Sequence, residues 1–253
     1  MTKTLNGEQY ERIDWADRWL RSALDIVSPP GFFQSVEVDM SACRTIIGLA
    51  RENGVQVTYT HAFVRATALA LADDDDLHKL VVGNRRWIPG QVDIGLSVSA
   101  ASFVSPVVVV RDVGNKTLTQ VAAEVIENTP KVRAEHEKFL AGSRRWGWLV
   151  PFAWLQRMIL RRMVSRFSFI QSSNGTFQIS CLNDVDLFVP FLFSTSAILG
   201  TGQVRDRAVV VNGELAVRPT VLIACCADHG VWDGKRGARF INKVKSVLES
   251  GDF

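Results

Sequence analysis

Val221-Leu222-Ile223-Ala224-Cys225-Cys226-Ala227-Asp228-His229-Gly230-Val231-Trp232-Asp233-Gly234 is the stretch around which the chain is organised. An apolar run of this length fits either a strand or a buried helix segment. Its shortness, its Val and Ile content and its Asp/Gly-rich exit favour a buried strand. After Gly234 the period changes: Ala238, Ile241, Val244 or Lys245, and Val247-Leu248 recur every three to four positions, as on an amphipathic helix. His229 is therefore placed just past a strand's carboxyl end, ahead of a helix. Imidazole has an ordinary pKa of about 6.5, which suits a general base at neutral pH. Asp233, four residues on, is placed to fix the loop through an ion pair or backbone hydrogen bonds, with Gly230 and Gly234 supplying conformational freedom. The residues alone leave two readings open: a catalytic base, or a satisfied turn histidine.

Composition narrows the classes. With 253 residues, 47% of them hydrophobic, the chain can bury one sizeable core, and residues 1–253 are expected to form a single domain. The net charge of +3 is mild and does not carry the signature of a nucleic-acid-binding domain. Cys43, Cys181, Cys225 and Cys226 form no Cys-x-x-Cys pair and read as reduced core residues rather than metal ligands. The carboxylates Asp73 to Asp76 are adjacent and cannot all converge on one ion, so they read as a solvated helix end, and no metal is expected. The start of the chain has no apolar signal region, and no apolar run approaches the ~20 residues of a membrane span, so a cytoplasmic location is expected.

Outward from the central stretch, residues 1–10 are polar and expected to be loose. Ile13, Trp15, Trp19, Leu20 and Leu24 predict a first helix bearing Arg18 and Arg21, ended by Pro29-Pro30-Gly31. Phe33 to Met40 reads as a strand, and Ser41 as the cap of a helix ending at Asn53-Gly54. Thr58 to Leu71 is helical, with His61 as an ordinary surface or packing residue. Val81 to Pro89 suggests a hairpin, Val92 to Val98 a half-buried alternating strand, and Pro106 to Val110 another strand. Leu118 to Leu140 is helical with a break near Pro130. Residues 146–169 form an aromatic and basic helical excursion. It is too short to cross a bilayer, and a cover over a subunit contact or pocket is preferred to membrane attachment. Asn174 to Cys181 is a turn and strand, and Asn212-Gly213 marks a hairpin. Interspersed helices and strands give a mixed α/β class.

Three late blocks, Gly175-Thr176-Phe177-Gln178-Ile179-Ser180, Ala197-Ile198-Leu199-Gly200-Thr201-Gly202 and Asp228-His229-Gly230-Val231-Trp232-Asp233-Gly234, resemble the acyltransferase superfamily of chloramphenicol acetyltransferase. The same superfamily holds the catalytic domains of the dihydrolipoamide acyltransferases of 2-oxoacid dehydrogenase complexes. The resemblance implies a two-layer α/β sandwich with a mixed β-sheet, assembled as a homotrimer with active sites between subunits. It implies His229 as general base, Ser180 as oxyanion donor, and Asp233 as a structural carboxylate paired with Arg18 or Arg21. It also implies acetyl-CoA as acyl donor, with no metal. The chain departs from the complex-forming enzymes in showing no lipoyl-lysine segment, in Gly230 where they carry arginine after the histidine, and in Cys181-Leu182-Asn183 after the serine. These departures favour acetylation of a hydroxyl on a small-molecule or carrier-bound acceptor, as in tetronate biosynthesis. The alternatives are a dihydrolipoamide acyltransferase using lipoyl domains from another chain, and a non-catalytic trimeric scaffold. The chain carries no Gly-x-Ser-x-Gly elbow or phosphate loop, and Gly200-Thr201-Gly202 lacks the third glycine of a dinucleotide fingerprint.

Overall fold

In the computed structural model, residues 2–5, 8–11, 31–74, 77–82, 85–100, 105–146, 152–192 and 195–253 are described. Strands β1 (Thr2–Leu5) and β2 (Glu8–Glu11) are followed by β3 (Gly31–Asp39), α1 (Ser41–Glu52) and α2 (Tyr59–Ala72). Next come β4 (Leu80–Val82), β5 (Arg85–Trp87), β6 (Ile94–Ser97), β7 (Val107–Val110) and α3 (Leu118–Trp146). The order closes with α4 (Ala153–Val164), α5 (Phe167–Asn174), β8 (Phe177–Cys181), β9 (Ala197–Thr201), β10 (Arg205–Val211), β11 (Glu214–Asp228) and α6 (Gly234–Ser250).

The central stretch is a strand, and it is longer than its apolar run. β11 holds 15 residues and passes straight through Pro219. Within a strand the N–H and C=O of one residue face the same edge, and the Pro219 carbonyl accepts from Met40 N at 2.7 Å on the β3 side. The missing N–H of Pro219 therefore falls where pairing with β3 only begins, at Thr220, and no ladder bond is lost. The length of β11 lets it carry β9 and then β10 along one edge and β3 along the other, all antiparallel. Beyond β9 follow β8 and β6, both parallel, and then antiparallel β7. The result is a seven-stranded mixed sheet.

Helices α2 and α6 and the first turns of α3 supply the second layer. Phe63 and Leu71 of α2, Val121 of α3, and Phe240, Val244 and Leu248 of α6 meet Ile94, Phe177, Ile179, Leu199 and Ile223 of the sheet in one buried core. At about 25 cal/mol per Å² of apolar surface removed from water, this contact is the main driving force for the sandwich.

Several expectations are corrected. Residues 2–5 and 8–11 form a two-stranded ladder, Leu5 pairing with Glu8 and Thr2 with Glu11. Ser41 opens α1 rather than capping it; Asp39 Oδ1 accepts from Ser41 N at 2.8 Å and from its Oγ at 2.6 Å. Strand β6 is buried through Ile94, Gly95 and Leu96 instead of half-buried. Its other face is covered because the Asn174 carbonyl lies 2.1 Å from where a Cβ on Gly95 would sit. Helix α3 runs unbroken for 29 residues, Leu118–Trp146, and passes through Pro130, which lies on its exposed side. Asp73 and Asp74 are not merely solvated: Asp73 pairs with Lys243 at 2.6 Å and Asp74 with Arg239 at 3.7 Å, tying α2 to α6. The excursion at 146–169 contributes α4 and the start of α5. The helix expected over Ile13 to Leu24, with Arg18 and Arg21, lies outside the described residues. Among the described residues no helix is long and apolar enough to cross a membrane.

Candidate active site

β11 ends in a tightly pinned turn. Asp228 N donates to the Ser196 carbonyl at 2.9 Å, holding the strand end against the entry to β9. The Asp228 carboxylate accepts from Gly230 N at 2.8 Å, and its carbonyl accepts from Val231 N at 3.0 Å and Trp232 N at 2.8 Å. Trp232 is fully buried, with its ring 5.1 Å from Phe240 and 6.4 Å from Phe177. This indole anchors the turn in the core. Asp233 then caps α6, its Oδ1 accepting from Arg236 N at 2.8 Å and its Oδ2 lying 3.7 Å from Arg236 Nε. The Arg236 N–H, with the Lys235 N–H and the Arg236 and Arg239 charges behind it, holds the Asp233 carboxyl below the usual range, so it is ionised at neutral pH. Neither Gly230 nor Gly234 takes a positive φ, so the turn geometry comes from Asp228 rather than from glycine freedom.

His229 is carried between these fixed points and is exposed, its ring meeting Phe32 edge-on at 5.3 Å. Strand β3 supports the same loop: Gln34 Nε2 donates to the Gly234 carbonyl at 2.8 Å. A Cβ on Gly237 would stand 2.7 Å from Gln34 Oε1 and 3.1 Å from the Phe32 ring, so the glycine lets α6 approach β3. Phe32, Gln34 and Asp228 are supporting residues that the sequence reading missed. Only the pairing of Phe32 with Ala227 and Gln34 with Cys225 reveals the first two.

Ser180 lies elsewhere in the chain. It is half-buried on β8, opposite Gly200 of β9, which pairs in turn with Ala224 of β11, five residues short of His229. Five residues of strand at about 3.3 Å each and two strand spacings of about 4.8 Å separate Ser180 and His229 within one chain by about 19 Å. The strand bearing Ser180 is held by a buried carboxylate, also missed. Asp93 accepts from Gln91 Nε2 at 2.7 Å, Asp112 N at 2.9 Å, Gln171 Nε2 at 2.9 Å and Arg111 Nη1 at 3.0 Å, while Thr176 N donates to its carbonyl at 2.7 Å. A charge inside the alternating Val92-Asp93-Ile94 was its signal. Next to Gly200 and Gly202, the Phe188 and Asp186 carbonyls lie 2.2 and 2.0 Å from where side chains would begin. These glycines admit a crossing loop rather than a nucleotide phosphate.

The four cysteines are unpaired, and burial raises every thiol, Cys43 to about 12, so none is poised as a thiolate nucleophile. Among the described residues no cluster of three His, Cys, Asp or Glu is placed to hold a metal. Arg18 and Arg21, the expected partners of Asp233, fall outside the described residues.

A mixed sheet layered with helices, with an open histidine at the exit of its longest strand, defines the chloramphenicol acetyltransferase-like acyltransferase fold. Comparison with known proteins gives the same class. Residues 155–252 match the model of the 2-oxoacid dehydrogenases acyltransferase (catalytic domain) family. The chain is 26% identical over 226 residues to a dihydrolipoyllysine-residue succinyltransferase component of the 2-oxoglutarate dehydrogenase complex from Rickettsia bellii, covering 85% of this chain and 48% of that protein. The chain thus spans about half the length of that curated relative. A structure concerned with the catalytic roles of a serine, a histidine and an asparagine in Azotobacter vinelandii dihydrolipoamide acetyltransferase superposes with a TM-score of 0.70 at 21% identity, covering 96% of this chain and 93% of that one. A chloramphenicol acetyltransferase superposes with a TM-score of 0.51 at 13% identity, covering 98% and 100%. Together these similarities support the acyltransferase superfamily, and the fold expected from the sequence is the fold found.

Proposed function

We propose that this chain is an acyltransferase core of the 2-oxoacid dehydrogenase type, moving an acyl group between the thiol of coenzyme A and the thiol of a dihydrolipoyl group. The observation that carries the reading is that the segment matching the family, 155–252, includes Ser180, His229 and Asp233, with His229 open on a rigidly pinned turn. The Azotobacter vinelandii enzyme is described through a serine, a histidine and an asparagine four residues after that histidine. Here the same spacing holds between His229 and Asp233, with a carboxylate in place of the amide.

In this reading His229 takes the proton of the attacking thiol as its sulfur bonds to the thioester carbonyl carbon. Negative charge then collects on the carbonyl oxygen, where Ser180 Oγ donates a hydrogen bond. Collapse breaks the original carbon–sulfur bond and expels the other thiolate, which recovers the proton from His229. No covalent acyl-enzyme is needed. A positioned base contributes ~10²–10⁴ in rate and one oxyanion donor ~10²–10³. Asp233 keeps the loop at the head of α6.

A separation of about 19 Å within a chain keeps His229 and Ser180 from sharing one carbonyl. The reading therefore includes a homotrimer in which each site takes its histidine from one copy and its serine from the next. The comparisons do not support a role in secondary metabolism, so the dihydrolipoyl thiol replaces the small-molecule alcohol as acceptor. Acetyl and succinyl are the acyl groups to try, the second because it is named for the Rickettsia relative. Incubation with acetyl-CoA or succinyl-CoA and dihydrolipoamide tests the proposal. Acyl-dihydrolipoamide should form, and His229→Ala should slow it by about 10²–10⁴. Acylation of an alcohol with no transfer to dihydrolipoamide from either donor would overturn it.

A further inference from the structure

The charge of this chain is unevenly distributed. Residues 138–183 contain seven of the 29 Lys and Arg residues, Lys138, Arg144, Arg145, Arg157, Arg161, Arg162 and Arg166, and none of the 26 Asp and Glu. The rest of the chain is therefore net negative. At the centre of the basic segment lies α4, which has no acidic residue in its first turn and Arg161 and Arg162 in its last. Its outward face is also apolar: Phe152, Trp154 and Met158 are 58%, 64% and 53% exposed, and the Phe152 and Trp154 rings stack at 6.3 Å. Arg157, Arg161 and Arg162 are exposed beside them. The inner side, with buried Gln156 and half-buried Leu155, Ile159 and Leu160, joins the helix to the fold.

From this face we propose that α4 docks the protein onto the surface of an anionic phospholipid bilayer. Arginine beside exposed tryptophan and phenylalanine matches a headgroup boundary, where rings enter the acyl edge and guanidinium groups stay among the phosphates. At 12 residues α4 can lie in that boundary but not span it. The partner chemistry follows from charge complementarity: a helix with Arg157, Arg161 and Arg162 exposed and no acidic residue of its own calls for an extended anionic partner. The mechanism of acyl transfer uses none of these residues, so the docking reading stands or falls apart from the proposed activity.

Co-sedimentation of the full chain with vesicles tests it, using phosphatidylcholine mixed with phosphatidylglycerol against phosphatidylcholine alone. Binding should appear only with the anionic vesicles and weaken with added salt. Each basic residue near such a surface is worth about fivefold in partitioning, so Arg161→Gln with Arg162→Gln should weaken binding about 25-fold. Trp154→Ser with Met158→Ser should weaken it at least about tenfold. All four side chains point outward, so thermal melting should show the variants folded. Absence of binding to anionic vesicles, or equal binding to both vesicle types, would overturn the proposal. So would loss of the native oligomer in the Trp154/Met158 variant, which would assign the face to a second copy of the chain.

Discussion

A chain carrying Ser180→Ala and a chain carrying His229→Ala, co-expressed with different tags and purified through both, should form active mixed trimers from two inactive parents. Within one chain the two side chains stand about 19 Å apart, from five residues of strand and two strand spacings. Under the proposed mechanism each site then draws its histidine and its serine from different copies. In a cyclic trimer of two chains of one kind and one of the other, one of the three neighbour contacts joins an intact His229 to an intact Ser180. Tag-selected mixed trimers should therefore reach about one third of wild-type activity. The Ser180→Ala parent should retain about 10⁻² to 10⁻³ of the rate, so the mixture should exceed the better parent by roughly thirtyfold or more. The assay is thioester transfer to dihydrolipoamide followed by thioester absorbance, with the oligomeric state checked by light scattering. Mixed trimers no more active than the better parent would refute the reasoning, because the two residues would then not meet across a subunit contact.

Three further outcomes follow from single contacts. Trp232→Ala should cost about 3–5 kcal/mol by emptying the space between Phe177 and Phe240, and thermal or denaturant unfolding measures it. Gly200→Ala, whose methyl would meet the Phe188 carbonyl, should cost about 1–3 kcal/mol by forcing the crossing loop off β9, read by the same melts. His61 should make the fold acid-sensitive. Burial lowers its pKa to about 4, and its Nδ1 accepts from Thr58 N at 3.2 Å to cap α2, which only the unprotonated ring can do. The folded state therefore binds fewer protons than the unfolded one. Stability should be full above about pH 6.5 and fall as the pH drops toward 4, by up to about 3 kcal/mol. His61→Gln should flatten that part of the stability profile; an unchanged slope would remove His61 as its cause.

The sequence by itself determined the elements whose cause is local. The apolar run before Asp228 specifies a buried strand, the three-to-four spacing after Gly234 specifies α6, and Asn212-Gly213, with φ of 53° and 87°, supplies the backbone that a two-residue hairpin needs. His229 and Asp233 were legible for the same reason, since strand exit and helix start follow each other within a few residues. Tertiary structure alone decided what holds them. The Gln34 side chain reaches Gly234 across 200 residues of sequence, and Phe32 backs His229 only because β3 pairs with β11 in one register. Asp93 likewise looks like a flaw in an alternating strand until its four donors arrive from α5 and from the loops before β6 and after β7. Strand pairing joins residues that no local periodicity relates, and the energy of burying Trp232 or a carboxylate exists only once those distant segments have closed around it.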